Sequence, residues 1–239
     1  MLSVVMRRRA LVVGASSEIG TAVAVDLAER GHDLVVWGLD EKRLHQAADR
    51  CRAVGGACSV GLVDVTDRAR LRQALDSAAA DGPLHVVVWA AGVFDWARAD
   101  QADPEVWRHV MDVNLTAAAV FTALVLPVLV AAAPSALVFI GSAAGRQVFA
   151  NNAAYVASKH GLAGLAGATF LDVRDRGVKV SVVSPGLVAA GAGLLSPAGV
   201  NRPGSLLTPQ DVAAAVRFVV TFQGTGCPTV VELQPQQSC

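Results

Sequence analysis

Short apolar runs alternate along this chain with longer stretches in which apolar residues recur every three or four positions. Runs at 10–13, 33–37, 57–63, 85–89, 136–140, 178–183 and 228–233 have strand length, and their near-continuous hydrophobicity predicts strands covered on both faces. Between them, 21–30, 41–54, 68–80, a segment from Pro104, a long Ala/Gly/Leu-rich segment opening at Tyr155, and 209–222 read as helices. Gly31 stops the first of these, Asp40 is placed to cap the second, and Thr66 or Asp67 the third. Strands alternating with helices at this spacing imply an α/β fold, a doubly wound parallel sheet of about seven strands with helices on both faces. Residues 187–207 are rich in Gly, Pro and Leu and are expected to form a structureless, mobile lid.

Composition narrows the picture. No linker-like shift divides the 239 residues, so residues 1–239 are expected to form a single domain. Hydrophobic residues make up 53% of the chain, enough for a large core, and 20 acidic against 20 basic residues leave no global field to draw nucleic acid or an anionic membrane. Arg7, Arg8 and Arg9 form the one basic run and are read as a solvated flank. Cys51, Cys58, Cys227 and Cys239 lack metal-ligand spacing and a disulfide pattern, which suits a reducing, cytoplasmic setting. The apolar stretch after the arginines is too short for a secretion signal. Residues 115–133 are apolar enough nearly to span a bilayer, but Asn114, Pro127 and the following strand favour a buried helix, whose surface can pack on another subunit.

Chemistry concentrates in two places. In a helix Tyr155 and Lys159 lie four residues apart on one face. An ordinary phenol has a pKa near ~10 and trades protons poorly at neutral pH. An ammonium at about 4 Å favours phenolate by roughly 4 kcal/mol before desolvation takes some back. Ser142 follows the run 136–140 and so falls at the C-terminal end of a strand, where open α/β sheets bind ligands. Near the start, the run 10–13 leads into Gly14-Ala15-Ser16-Ser17-Glu18-Ile19-Gly20 and then a helix, the arrangement that cradles a dinucleotide pyrophosphate. The second strand ends at Gly38-Leu39-Asp40, with neither an acidic residue for a ribose 2′-hydroxyl nor an arginine for a 2′-phosphate at the usual places. Lys42 and Arg43 lie close enough in sequence to reach a phosphate, which favours NADP with NAD also possible.

Ser142, the Tyr155-x-x-x-Lys159 pair and the glycine turn together resemble the short-chain dehydrogenase/reductase family, over nearly the whole chain. The resemblance implies that Ser142 holds a substrate oxygen, that Tyr155 exchanges its proton, and that Lys159 lowers the phenol pKa and binds the nicotinamide ribose. It implies that Asn114 bends its helix and anchors a proton-relay water. Gly14, Ser16, Ser17, Ile19 and Gly20 would cradle the cofactor, Gly38, Asp64 and Val65 its adenosine, Ala91 and Gly92 a ribose, and Pro185, Gly186 and Val188 the nicotinamide. Four family positions differ. Glu18 stands for the middle glycine and is expected to face solvent; Val13 stands for a Thr; Trp89 and Ala90 stand for two Asn; and Ala190 stands for a Thr that holds the carboxamide. The changes at Val13, Trp89 and Ala90 read as one exchange, a hydrogen-bonded tie between strands given up for packing.

Phe94, Trp96, Phe149 and Leu187, with Gln147 and Asn152 as polar handles, are candidates to line a substrate pocket; Val148, Leu194, Leu195 and Leu206 fall nearby. Arg146 and Arg202 are the neighbouring groups able to pair with an acidic substrate, and both also suit solvated surface. The substrate is therefore expected to be a mostly neutral, hydrophobic or polycyclic ketone or alcohol. His109 and His160 are read as helix-surface residues. The implied activity is that of an NAD(P)-dependent carbonyl reductase or alcohol dehydrogenase, in a homodimer or homotetramer formed through helices around 104–131 and 153–176. Two alternatives stay open: a dinucleotide-binding protein without turnover, and a dehydratase or epimerase on the same scaffold.

Overall fold

A computed structural model describes residues 7–236; Cys239 lies outside that range. The elements run β1 (Arg8–Val13), α1 (Glu18–Glu29), β2 (His32–Gly38), α2 (Glu41–Ala53), β3 (Cys58–Leu62), α3 (Arg68–Ala80), β4 (Leu84–Trp89) and α4 (Pro104–Met111). They continue through α5 (Ala117–Ala131), β5 (Ser135–Ile140), α6 (Ala153–Val173), β6 (Val178–Pro185), α7 (Ala192–Leu195), α8 (Pro197–Asn201), α9 (Pro209–Thr221) and β7 (Val230–Leu233). The seven strands form one sheet in the order β3-β2-β1-β4-β5-β6-β7, and every pairing is parallel. Side chains alternate across each strand, so the sheet feeds two cores. Leu11 and Val13 pack on the side of α3, α5 and α6, while Ala10 and Val12 pack on the side of α1, α2 and α9.

The caps fall where short polar side chains preceded the helical pattern. Ser17, Asp40 and Asp67 accept from Gly20 N, Arg43 N and Arg70 N at the starts of α1, α2 and α3. Thr208 and Asp211 form a reciprocal capping box at α9.

One expectation gains detail and two change. The segment from Pro104 to Ala131 is one long helix whose middle, Asp112–Thr116, is wound as a π-turn around Asn114. By length and composition it is apolar enough to cross a membrane, yet its inner face is core: Phe121 is fully buried, 5.0 Å from the Trp89 ring and 6.1 Å from Trp37.

The segment 187–207 is not structureless. It holds α7 and α8, Ser196 caps α8 by accepting from Gly199 N, and Val188 pairs with Leu207 in a short parallel bridge. Two of its glycines serve close packing: a methyl group at Gly193 would overlap the carbonyl of Val188, and one at Gly199 the carbonyl of Gly193.

The arginine run, too, is more than a solvated flank. Arg7 donates to the carbonyls of Gly31 and Gly55, Arg8 to Pro134, and Arg9 to Ala78 and Gly82, the chain reversals that follow α1, α2, α5 and α3. Cations there meet the negative ends of helices that run back beneath the sheet.

Candidate functional site

The C-terminal ends of the strands open into a cavity of about 1250 Å³. At its entrance side the turn after β1 is built for close approach. Gly14 has φ +88°, and a methyl group there would sit 2.5 Å from the amide nitrogen of Ala91. Its own N–H and that of Ala15 donate to the carbonyl of Trp37, tying the turn to the end of β2. Ser17 donates to Gly14 O while accepting from Gly20 N, which fixes the start of α1. Ser17 and Ile19 line the cavity, and Ser16 meets Gly38 at the β2 end. The arrangement fits a dinucleotide: Gly14 lets the turn pack directly on the Ala90-Ala91 backbone, Gly92 leaves no side chain on the cavity wall, and α1 presents the positive end of a twelve-residue helix.

Further along the edge, Asp67 caps α3 and Asp64 does not; the Asp64 carboxylate accepts instead from the amide and hydroxyl of Thr66, at 2.8 and 2.7 Å. Val65 beside it is buried. Glu18 is exposed at the cavity mouth and pairs with Arg43 on the first turn of α2 at 2.6 Å. Arg43, a candidate phosphate ligand, therefore already has a partner.

Val13 and Trp89 are register neighbours on β1 and β4, both fully buried in one apolar cluster, and Ala90 N donates to Val13 O at 2.8 Å. Apolar packing and that backbone hydrogen bond join the two strands here, and the buried indole N–H of Trp89 lacks a partner among the described residues.

The reactive groups converge from two elements. Ser142 sits one residue beyond Gly141 at the end of β5; its hydroxyl accepts from Ala144 N at 3.1 Å and shares a hydrogen bond with the Tyr155 phenol. Tyr155 and Lys159 occupy the first two turns of α6, with the ammonium 5.6 Å from the phenol ring centre. Lys159 is almost fully buried and donates to the carbonyl of Ile140 at 3.1 Å. A methyl group at Gly92 would lie 3.6 Å from that ammonium, so the absence of a side chain there keeps the lysine reachable.

Burial dominates the titration of both groups. It pushes the Tyr155 phenol up, against the hydrogen bond from Ser142, and brings Lys159 down to about 8. The expectation that the ammonium outweighs desolvation and brings the phenol toward working pH is thus corrected. Desolvation is the largest influence on each, because phenol and ammonium are both withdrawn from water.

Asn114, fully buried on the π-turn, is locked on both sides. It accepts from Val93 N at 2.8 Å and donates to Val93 O at 2.9 Å and to Ser158 Oγ at 3.1 Å; Ser158 in turn donates to Tyr155 O. Ser158 is one functional neighbour that sequence reasoning missed, although its place three residues after Tyr155 puts it on the inward helix face.

All six proposed substrate residues, Phe94, Trp96, Gln147, Phe149, Asn152 and Leu187, line the cavity. Phe94 stands edge-on to Tyr155 at 4.8 Å and 5.9 Å from Trp96, forming an aromatic wall. Asn152 is spent partly on structure, donating to Ala150 O. Val148, Leu194, Leu195 and Leu206 fall outside the lining, and Arg146 pairs with Glu232 on β7 at 3.0 Å. His109 and His160 are exposed helix residues, as expected. Gln234 and Pro235, just past β7, also line the cavity, and nothing in the local sequence pattern signalled them.

Comparison with known proteins agrees with this geometry. The short chain dehydrogenase family model matches residues 8–194. Cyclohexanol dehydrogenase of Acinetobacter sp. (strain SE19) is 30% identical over 93% of this chain and 92% of its own. Cis-4-hydroxycyclohexanecarboxylate dehydrogenase of Sinomonas cyclohexanicum is 34% identical over 90% and 89%. Among solved structures, carveol dehydrogenase from Mycobacterium avium in complex with NAD superposes with a TM-score of 0.87 over 97% of each chain at 22% identity, a likeness of fold. With strand order, glycine turn and family match in accord, this chain belongs to the short-chain dehydrogenase/reductase family.

Proposed function

We propose that this protein is an NAD(P)-dependent oxidoreductase that interconverts an alcohol and its carbonyl on a small, mostly apolar ring compound. The observation that carries this reading is the meeting of Ser142, Tyr155 and Lys159 in one cavity beside an aromatic wall. The cyclohexane-ring substrates named for two relatives support the ring.

Bound nicotinamide supplies or accepts the hydride. Ser142 holds the substrate oxygen, and Tyr155 gives it a proton in the reducing direction and takes one back in the other. The Lys159 ammonium below the ring favours the phenolate left behind. Asn114 holds Val93 and, through Ser158, the helical turn that carries Tyr155. Phe94 and Trp96 keep water from the reacting carbon.

For the cofactor, Gly14, Ser16, Ser17, Ile19 and Gly20 take the pyrophosphate, and Gly38, Asp64 and Val65 the adenosine. Ala91 and Gly92 flank a ribose, and Pro185, Gly186 and Val188 the nicotinamide. NADP is the favoured form, with NAD accepted in the same cradle. Residues 187–207 close over the substrate within a single catalytic domain. The Ala-rich outer faces of α5 and α6 pair copies of the chain into a cytoplasmic dimer or tetramer.

The test is oxidation of cyclohexanol and reduction of cyclohexanone, each with NADP(H) and NAD(H), beside Tyr155→Phe. Turnover of the substituted protein is expected to fall about 10²- to 10⁴-fold, with dinucleotide affinity retained. Undiminished turnover would remove the reading.

A further inference from the structure

On the wall that the ends of β6 and β7 contribute to the cavity, the lining side chains are Pro185, Leu187, Val188, Ala190, Pro235 and Gln234. Five are apolar and one is an amide. The Gln234 amide lies directly over the Pro185-Gly186 turn: a methyl group at Gly186 would meet its Oε1 at 2.6 Å and its Cδ at 3.4 Å. Gly186 therefore leaves the space this side chain fills. The backbone beneath is fixed, since Gly186 N donates to Leu233 O at 2.8 Å and the Arg146–Glu232 ion pair ties β7 to the loop after Ser142. Among the described residues no group hydrogen-bonds the Gln234 amide, so its donor and acceptor both remain available to a ligand.

We infer that Gln234 is a cofactor-positioning residue that hydrogen-bonds the carboxamide of a bound nicotinamide, at a wall where Ala190 has no hydroxyl to offer. The inference rests on the dinucleotide reading above. Two primary amides are complementary, each with an N–H donor and a carbonyl acceptor. Fixing the carboxamide fixes the rotation of the ring, and so the face from which hydride leaves toward the aromatic wall.

The experiment measures equilibrium binding of NADPH and of 2′-phospho-ADP-ribose, which lacks the nicotinamide, to the unsubstituted protein, Gln234→Met and Gln234→Ala. Gln234→Met keeps the length of the side chain and guards against collapse of the wall. The expected result is NADPH binding about 3- to 10-fold weaker in both variants, with 2′-phospho-ADP-ribose unchanged. If both ligands weaken alike, or neither does, or only the KM of the alcohol moves, the Gln234 assignment falls while the dinucleotide reading stands. If the unsubstituted protein binds neither ligand, the dinucleotide reading falls and takes the assignment with it.

Discussion

At the scale of single residues, the governing quantity is how far a charge is taken from water. Lys159 has an ordinary pKa of 10.5 and about 8 in the fold, because its ammonium is buried with a carbonyl rather than a carboxylate as partner. Between those pH values the unfolded chain binds more protons than the folded one, so stability rises with pH; below about 8 the full penalty, about 3 kcal/mol, is present. Lys159→Met is therefore expected to abolish turnover while raising the urea midpoint at pH 7, with the advantage shrinking toward pH 10. An advantage that stays constant across that range would mean the lysine is not the titrating group. Spacing made the Tyr155–Lys159 pair legible, but spacing says nothing of burial depth, and that is why the direction of the phenol shift had to come from the structure. Glu18 illustrates the same limit. Its exposure followed from its place at a helix start, whereas its 2.6 Å pairing with Arg43 depends on α2 lying beside α1. Both groups are about half exposed, so a 2′-phosphate, carrying more charge than a carboxylate, has a weak pair to displace.

At the scale of elements, the five inner strands were legible because each is largely buried on both faces and reads as an apolar run, whereas β3 and β7 at the edges are partly exposed; α1, α2, α3, α4 and α9 were legible from the caps that precede them. The segment 187–207 was not, because Gly, Pro and Ser suit disorder and tight helical packing equally well. What separates the two is tertiary: α7 rests on the Val188 carbonyl through Gly193, and α8 on the Gly193 carbonyl through Gly199. Gly193→Ala forces α7 away from the strand end, an overpacking cost of about 1–3 kcal/mol borne by this segment alone. The expected outcome is a KM for cyclohexanol raised severalfold, with NADPH affinity and the thermal midpoint nearly unchanged. If all three stay where they are, the added methyl group is accommodated and the proposed closure of 187–207 over the substrate does not depend on this packing.

For the whole molecule, a parallel sheet has two unlike ends, and this chain divides its work between them. The C-terminal ends carry the glycine turn, Ser142 and the Pro185-Gly186 turn. The N-terminal ends receive the helices as they return, and each return leaves carbonyls without intrahelical partners. Because β1 lies centrally in the sheet order, the three arginines at its start reach the returns after α1, α2, α3 and α5. That role was not legible from a charge run, though the glycines closing the first three helices, Gly31, Gly55 and Gly82, marked where carbonyls would gather. Arg9 is the most enclosed of the arginines here, its side chain only 16% exposed and bonded to two carbonyls at the end of α3. Arg9→Met keeps the aliphatic stem and removes both charge-assisted hydrogen bonds, which leaves the carbonyls of Ala78 and Gly82 without that partner at a cost of about 2 kcal/mol. For a chain of this length that is a fall in thermal midpoint of roughly 4–8 °C, read by calorimetry. The chemistry lies at the opposite ends of the strands, so kcat/KM measured well below the midpoint is expected to stay unchanged. A loss of activity without a loss of stability would show that the two ends are coupled through β1 rather than divided.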